Sequence, residues 1–276
     1  CWEIKAGKRI NKKELIKKIY KKKSFLCVGL DPDLEKFPSS VLKEDDPIFY
    51  FNKKIIDSTK NYCVSYKVNL AFYEKYGVNG LESLRKTIEY IPNDFFVIAD
   101  AKRGDILNTS KMYADAFYVN FNFDAVTLSP YMGGDCVKPF IRDGKWSIVL
   151  IATSNPTADD FQMIKTENGI PLYMEVLNKA KAWGSSENMM FVVGGTRPDI
   201  IKKIREQAKD HFLLIPGVGH QGGNLSKIAQ YGFNNEVGVL VNCSRSILYA
   251  GKGNEFFKYS KKEAERIQKE MSNYLT

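Results

Sequence analysis

The chain has 276 residues, 44% hydrophobic and 26% charged, which is soluble globular composition with enough apolar mass for a sizeable core. Its 41 Lys and Arg against 32 Asp and Glu leave a formal charge of +9, but basic charge alone is a weak sign of nucleic-acid binding. No apolar stretch nears the ~18 residues of a membrane span and no signal-peptide core is present, so neither nucleic acid nor a membrane is an expected partner.

Five cysteines (Cys1, Cys27, Cys63, Cys136 and Cys243) show no C-x-x-C spacing. Reduced thiols and a cytoplasmic setting are therefore expected. The basic residues crowd the start of the chain: Lys8, Arg9, Lys12, Lys13, Lys17, Lys18 and Lys21 to Lys23, with Leu15, Ile16 and Ile19 between them. That spacing predicts an amphipathic helix with a solvated basic face, an extension over 1–24 packed against the rest of the chain.

Eight apolar, β-rich runs come next, at 25–31, 63–69, 95–102, 125–129, 147–153, 189–195, 211–218 and 237–243. Most are continuous rather than alternating, as strands buried on both faces are. Helical patterns separate them. The stretch 79–90 is amphipathic and stops at Ile91-Pro92; 109–121 follows a Thr109 or Ser110 cap; 198–209 opens on Pro198; and 255–274 makes a long charged terminal helix. Strict alternation implies parallel strands, and eight units in this length predict one (β/α)8 TIM barrel spanning 1–276. The rival, an open doubly wound sheet, usually has fewer strands in this length.

In such a barrel the site gathers at the C-terminal ends of the strands, and six of the eight runs end in reactive or polar residues. The third ends in Asp100-Ala101-Lys102-Arg103-Gly104-Asp105. On a strand Asp100 and Lys102 point the same way, and a turn at Gly104 brings Asp105 to the same ammonium. A lysine held between two carboxylates stays charged and can donate a proton. In isolation the pattern fits a salt-bridged loop as well as a catalytic device; its place at a strand end favours the second. After the seventh run comes Gly217-Val218-Gly219-His220-Gln221-Gly222-Gly223, and after the eighth Ser244-Arg245-Ser246, each leading into a helix. Loops after strands seven and eight are the recurrent phosphate site of these barrels, and Arg245 suits a bidentate grip. Neither a P-loop nor a G-x-G-x-x-G opening a first βα turn is present. The two histidines, His211 and His220, have no metal-ligand spacing.

This ordered set resembles the orotidine 5′-phosphate decarboxylase family over essentially the whole chain. The likeness rests on Gly29 to Asp33, Lys67, Asp100 to Asp105, Thr153-Ser154-Asn155-Pro156, Gly194 to Pro198, Pro216 to Gly223 and Asn242 to Ser246; the Ser-Asn-Pro and Thr-Arg-Pro elements are similar to its longer branch. Leu107, His220 and Cys243 depart from the common pattern in loop detail. The resemblance implies conversion of orotidine 5′-phosphate to uridine 5′-phosphate (UMP), the last step of de novo pyrimidine biosynthesis, with no metal or organic cofactor. It implies that Asp31 and Lys67 contact the ribose. Lys67, Asp100, Lys102 and Asp105 would form a charged network with Lys102 as proton donor. Asp105, Ile106 and Thr109 would reach across a homodimer into the partner's site. Ser154 and Asn155 would address the pyrimidine, and Gln221 and Arg245 the phosphate. The chemistry suits these residues, because loss of carbon dioxide leaves electron density that must be stabilised electrostatically and then protonated. A metal-dependent sugar-phosphate decarboxylase or aldolase on a related barrel is the alternative. A Schiff-base aldolase fits less well, since a lysine flanked by carboxylates is not an amine nucleophile.

Overall fold

The computed structural model describes residues 10–217 and 223–275. Gln221 and His220, like Cys1, Lys8 and Arg9, lie outside the described residues. Eight strands form a closed all-parallel barrel in sequence order: β1 (Leu26–Leu30), β2 (Ser65–Asn69), β3 (Phe96–Arg103), β4 (Ala125–Leu128), β5 (Trp146–Ala152), β6 (Met189–Val193), β7 (Phe212–Pro216) and β8 (Val239–Cys243). The TIM barrel expected from the pattern is present, and each strand matches its run to within two residues. β1, β6 and β8 are buried along their whole length, which is why they read as unbroken apolar runs.

The helices are α1 (Lys12–Lys22), α2 (Pro47–Thr59), α3 (Ala71–Glu74), α4 (Gly77–Tyr90), α5 (Leu107–Asp115), α6 (Leu172–Lys181), α7 (Pro198–Gln207), α8 (Leu225–Gly232), α9 (Arg245–Leu248) and α10 (Phe256–Ser272). One boundary differs from expectation in a way that touches the site. α5 begins at Leu107 with Ile106 in the cap position and no side-chain cap, so Thr109 sits inside the first turn rather than before it. The helix then widens into a π-helix over Ala116–Asn120.

The N-terminal end of the barrel is plugged by aromatic rings from odd-numbered strands. Trp146 packs edge-on against Phe96 at 5.9 Å and Phe212 at 6.4 Å, and all three are essentially fully buried. Each such ring contributes about 1.5–3 kcal/mol by leaving water. Trp146 also donates its indole N–H to the Ile10 carbonyl at 3.2 Å, which ties the start of the α1 segment to this end. α1 opens with a capping box between Asn11 and Glu14 and buries Leu15 and Ile19. Its basic face is only partly solvated, contrary to the sequence reading. Lys12 and Lys18 are buried. Lys18 pairs with Asp94 at 2.8 Å over the Phe95 ring, Lys12 pairs with Glu236 at 3.2 Å, and Lys22 donates to the Cys63 carbonyl at 2.9 Å. Lys12, Lys18 and Lys22 thus dock this helix, while Lys13, Lys17, Lys21 and Lys23 face solvent. With this end closed by apolar packing, polar groups inside the barrel collect at the other.

His211, just before β7, packs at 4.9 Å against Phe191 with the two rings tilted by 37°. Burial first, then the charges of Arg205, Lys12 and Lys181, pull its pKa from 6.5 down to about 4. As pH falls through that window the unfolded chain takes up a proton that the folded chain refuses, so acid favours unfolding there and the effect is absent above 6.5. Unfolding free energy measured across the window should fall more steeply for the natural chain than for His211→Phe, by up to about 1.4 kcal/mol per pH unit. Parallel curves would contradict this.

Candidate active site

Four charged side chains alternate in sign across the C-terminal ends of β1, β2 and β3. The parallel register sets Lys67 beside Gly29 on one side and Ile98 on the other, and Asn69 beside Asp100. Lys67 Nζ lies 2.7 Å from Asp100 Oδ2 and 3.9 Å from Asp31 Oδ1, while Lys102 Nζ lies 2.5 Å from Asp100 Oδ1. The order is Asp31, Lys67, Asp100, Lys102. Lys67 is 4% exposed, and Lys102 has half its side chain in solvent.

Burial alone would push the Asp100 carboxyl up, but the charges and hydrogen bonds of Lys67 and Lys102 outweigh it and hold the group well below the usual carboxylate range. For Lys67, burial opposes the charge, and Asp100 and Asp31 overcome it and drive the ammonium above its ordinary range. Both groups are therefore charged at neutral pH.

The backbone reaches this contact by a route that simple strand alternation does not predict. Lys102 has φ +49°, and the β3–β4 register shifts between Ala99 and Arg103. A left-handed lysine costs about 1–2 kcal/mol. Thr127 on β4 holds it in place: its Oγ1 accepts from both Ala101 N and Lys102 N at 3.0 Å and donates to Asp100 Oδ1 at 3.1 Å. Sequence reasoning passes over Thr127, although it is the hydroxyl residue inside the apolar run Ala125 to Leu128.

The expected clamp of Lys102 between Asp100 and Asp105 does not form within one chain. Asp100 instead sits between two lysines. The Asp105 carboxylate accepts from the neighbouring Ile106 N–H at 2.7 Å, and among the described residues it has no ion pair. Gly104 runs so close to the next strand's loop that a Cβ would lie 2.7 Å from the Ser129 carbonyl, which carries Asp105 away from Lys102. Thr109, half-buried like Asp105, stands one turn further along, next to the exposed Ile106 and Leu107.

A cavity of about 170 Å³ joins the array to the ends of β7 and β8. Asp31, Lys67 and Asp100 line one side and Asn242, Arg245 and Ser246 the other. Gly217, with φ +97°, turns the chain at its edge. Asp33 does not enter: it caps the turn Leu34–Lys36 and pairs with Lys36 at 2.5 Å. Tyr249, also unforeseen, bonds Asp31 O and Asp33 N at 3.0 and 2.9 Å and so ties the loop after β1 to the segment after α9. Ser154 and Asn155 follow β5 at the same end of the barrel but do not line this cavity. Asn155 bonds Thr153 and Thr157, Gln162 braces Thr153, and Ser154 packs where Gly194 leaves room that a Cβ would fill at 2.9 Å. A larger depression of about 820 Å³ between α7 and α8 contains none of these groups. Among the described residues no cluster of His, Cys, Asp and Glu could hold a metal ion.

Residues 24–257 match the family described as orotidine 5′-phosphate decarboxylase / HUMPS family. The chain is 52% identical over 270 residues to an orotidine 5′-phosphate decarboxylase of Parabacteroides distasonis, with 96% of each chain covered. It superposes on a UMP synthase of Leishmania donovani with a TM-score of 0.81 and 34% identity, covering 94% of this chain and 57% of that one. On an OMP decarboxylase of Leishmania donovani the TM-score is 0.79 at 32% identity, covering 94% and 99%.

Replacing Asp100 by Asn should uncover what the array contributes to folding. Lys67 would stay buried with only the more distant Asp31 facing it, and breaking a buried pair in this way costs about 3–5 kcal/mol. Urea unfolding of Asp100→Asn should show a loss of that order. A loss under about 1 kcal/mol would mean that the pair is not coupled to stability.

Proposed function

The chain belongs to the orotidine 5′-phosphate decarboxylase / HUMPS family, and we propose that it releases carbon dioxide from orotidine 5′-phosphate to give UMP through the array of Asp31, Lys67, Asp100 and Lys102. The observation that carries this reading is a largely buried carboxylate between two ammonium groups at the mouth of a barrel. As the bond from the ring to the substrate's carboxylate breaks, its electron pair stays on the ring carbon. Positive charge already in place stabilises that pair with little reorganisation. A proton then passes from Lys102 Nζ to the vacated carbon, and the half-exposed amine regains one from water. Asp100 keeps Lys102 in position, and its own negative charge near a departing carboxylate adds ground-state repulsion.

Arg245 and the loop after β7 hold the phosphate, to which a guanidinium can make two parallel bonds. Because the phosphate is remote from the reacting carbon, its binding energy organises the site, and a substrate without it should lose rate as well as affinity. Gln221 belongs to that loop, Asp31 and Lys67 address the ribose, and Ser154 and Asn155 address the pyrimidine from the end of β5.

The functional unit in this reading is a homodimer. Support comes from Asp105, whose carboxylate lacks an ion partner among the described residues of its own chain, and from exposed apolar side chains that follow β3 and β4: Ile106 is 61% and Tyr131 84% exposed. Asp105 and Thr109 then complete the partner's site.

Absorbance of orotidine 5′-phosphate followed with purified protein and EDTA should fall as the ring loses its carboxylate; an unchanged spectrum, or activity abolished by EDTA, would overturn the reading. Lys102→Ala should cut turnover by at least about a thousandfold while keeping ligand affinity in part. Mixing Lys102→Ala with Asp105→Ala, each nearly inactive, should restore up to about a quarter of the natural activity, since half the dimers then carry one intact site. No recovery after subunit exchange would contradict the shared site.

A further inference from the structure

The cavity holds one buried side chain for which the proposed mechanism has no task. Asn242 on β8 is 6% exposed. Its Nδ2 donates to Ser244 Oγ at 3.1 Å, while its Oδ1 is buried without a hydrogen-bond partner. The carboxamide is fixed from behind by Gly29 on the adjacent strand: a Cβ there would lie 1.8 Å from Ser244 Oγ and 3.3 Å from Asn242 Oδ1. Glycine at 29 thus makes room for the Asn242–Ser244 pair, and the pair presents an acceptor at the cavity. An unsatisfied buried carbonyl is costly and rare in native proteins unless something binds there.

Two further polar atoms of the same cavity are buried without a hydrogen-bond partner, Ser246 Oγ and Asp31 Oδ1, the latter facing only the Lys67 ammonium at 3.9 Å. Their chemistry divides the cavity. Asp31 and Asn242 offer acceptors. Arg245 and Ser246 offer donors. A phosphate dianion carries acceptors only, so it fits the Arg245 and Ser246 side and is refused by the Asn242 oxygen. What satisfies an acceptor wall beside a phosphate site is a hydroxyl-bearing group on the same small molecule as that phosphate, as the ribose of a nucleotide 5′-phosphate is.

We propose that Asn242 is a further substrate-binding residue, its carboxamide oxygen accepting a hydrogen bond from a ribose hydroxyl of the nucleotide. The inference rests on the decarboxylase reading and adds a residue on β8 to the sugar contacts made from β1 and β2. It makes Asn242 a determinant of selection for a ribonucleotide, because the acceptor is left unpaired when the hydroxyl is missing.

The test uses equilibrium binding of UMP, 2′-deoxy-UMP and 3′-deoxy-UMP to the full chain. The natural protein should bind UMP more tightly than both analogues. Asn242→Ala should weaken UMP about fivefold to tenfold and leave one of the two deoxy analogues unchanged within about twofold, so that its discrimination against that analogue disappears. Asn242→Asp keeps an acceptor of the same shape; it should retain the discrimination even where its charge weakens all three ligands. Equal weakening of all three by Asn242→Ala, or no weakening of UMP, would overturn the proposal. Failure of the natural protein to bind UMP would instead remove the decarboxylase reading on which it stands. A thermal melt of each variant separates these outcomes from unfolding, and if Asn242→Ala is unfolded, loss of discrimination in a folded Asn242→Asp overturns the proposal by itself.

Discussion

One carboxylate organises this protein. Asp100 is largely but not fully buried, and its two oxygens face different ammonium groups, Lys67 at 2.7 Å and Lys102 at 2.5 Å. Lys67 could not remain charged inside the barrel without it, because burial of a lone ammonium pulls hard toward the neutral amine. Lys102 has no reason to adopt a left-handed backbone except that this conformation, braced by Thr127, delivers its side chain to Asp100. A negative charge at the centre of two positive ones thus fixes both the electrostatics of the site and the local path of β3.

The barrel supplies the conditions for that arrangement. Parallel pairing puts the ends of β1, β2 and β3 side by side, so that charges from three distant segments alternate at contact distance. Aromatic packing around Trp146 and the docked α1 close the opposite end, leaving one mouth where polar groups can gather. Small residues complete the arrangement where strands crowd: Gly29 admits Asn242 and Ser244, Gly104 passes the Ser129 carbonyl, and Gly194 admits Ser154. Each is a place where a close neighbour, rather than turn geometry, excludes a side chain.

Fold and chemistry are legible in the sequence to different depths. The strands can be read because a strand buried on both faces leaves a run of Val, Ile, Leu and Phe that is unbroken in most of the eight, and because helical patterns separate the runs. The cap of α5 cannot, because Thr109 and Ser110 look like caps although the helix has already begun at Leu107 behind Ile106, which offers no capping side chain. The motif at Asp100 offers the right residues with the wrong bonds. Strand alternation leads correctly to an Asp100–Lys102 contact, but the contact depends on a hydroxyl from β4, and local sequence carries no trace of a neighbour that is distant in the chain. Pairing Asp105 with Lys102 fails for a related reason: adjacency in sequence is not adjacency in space. The basic N-terminal segment misleads the opposite way, since a lysine docked on a carboxylate and an aromatic ring reads like one in water. Asn242 is legible only as the first residue of the motif Asn242 to Ser246, with no sign of its own task, and Tyr249 leaves no signal, as a Tyr after a helix turn has many ordinary uses.

The state of Asp100 is open to direct measurement. In protein labelled at the aspartate carboxyl carbon, the Asp100 resonance, assigned by its absence in Asp100→Asn, can be followed while pH is lowered. A carboxylate held between two ammonium groups should show no titration until the barrel itself unfolds. A midpoint near the ordinary value of about 3.9 in the folded protein would mean that the two lysines do not hold it, and the electrostatic basis of the site would fall with it.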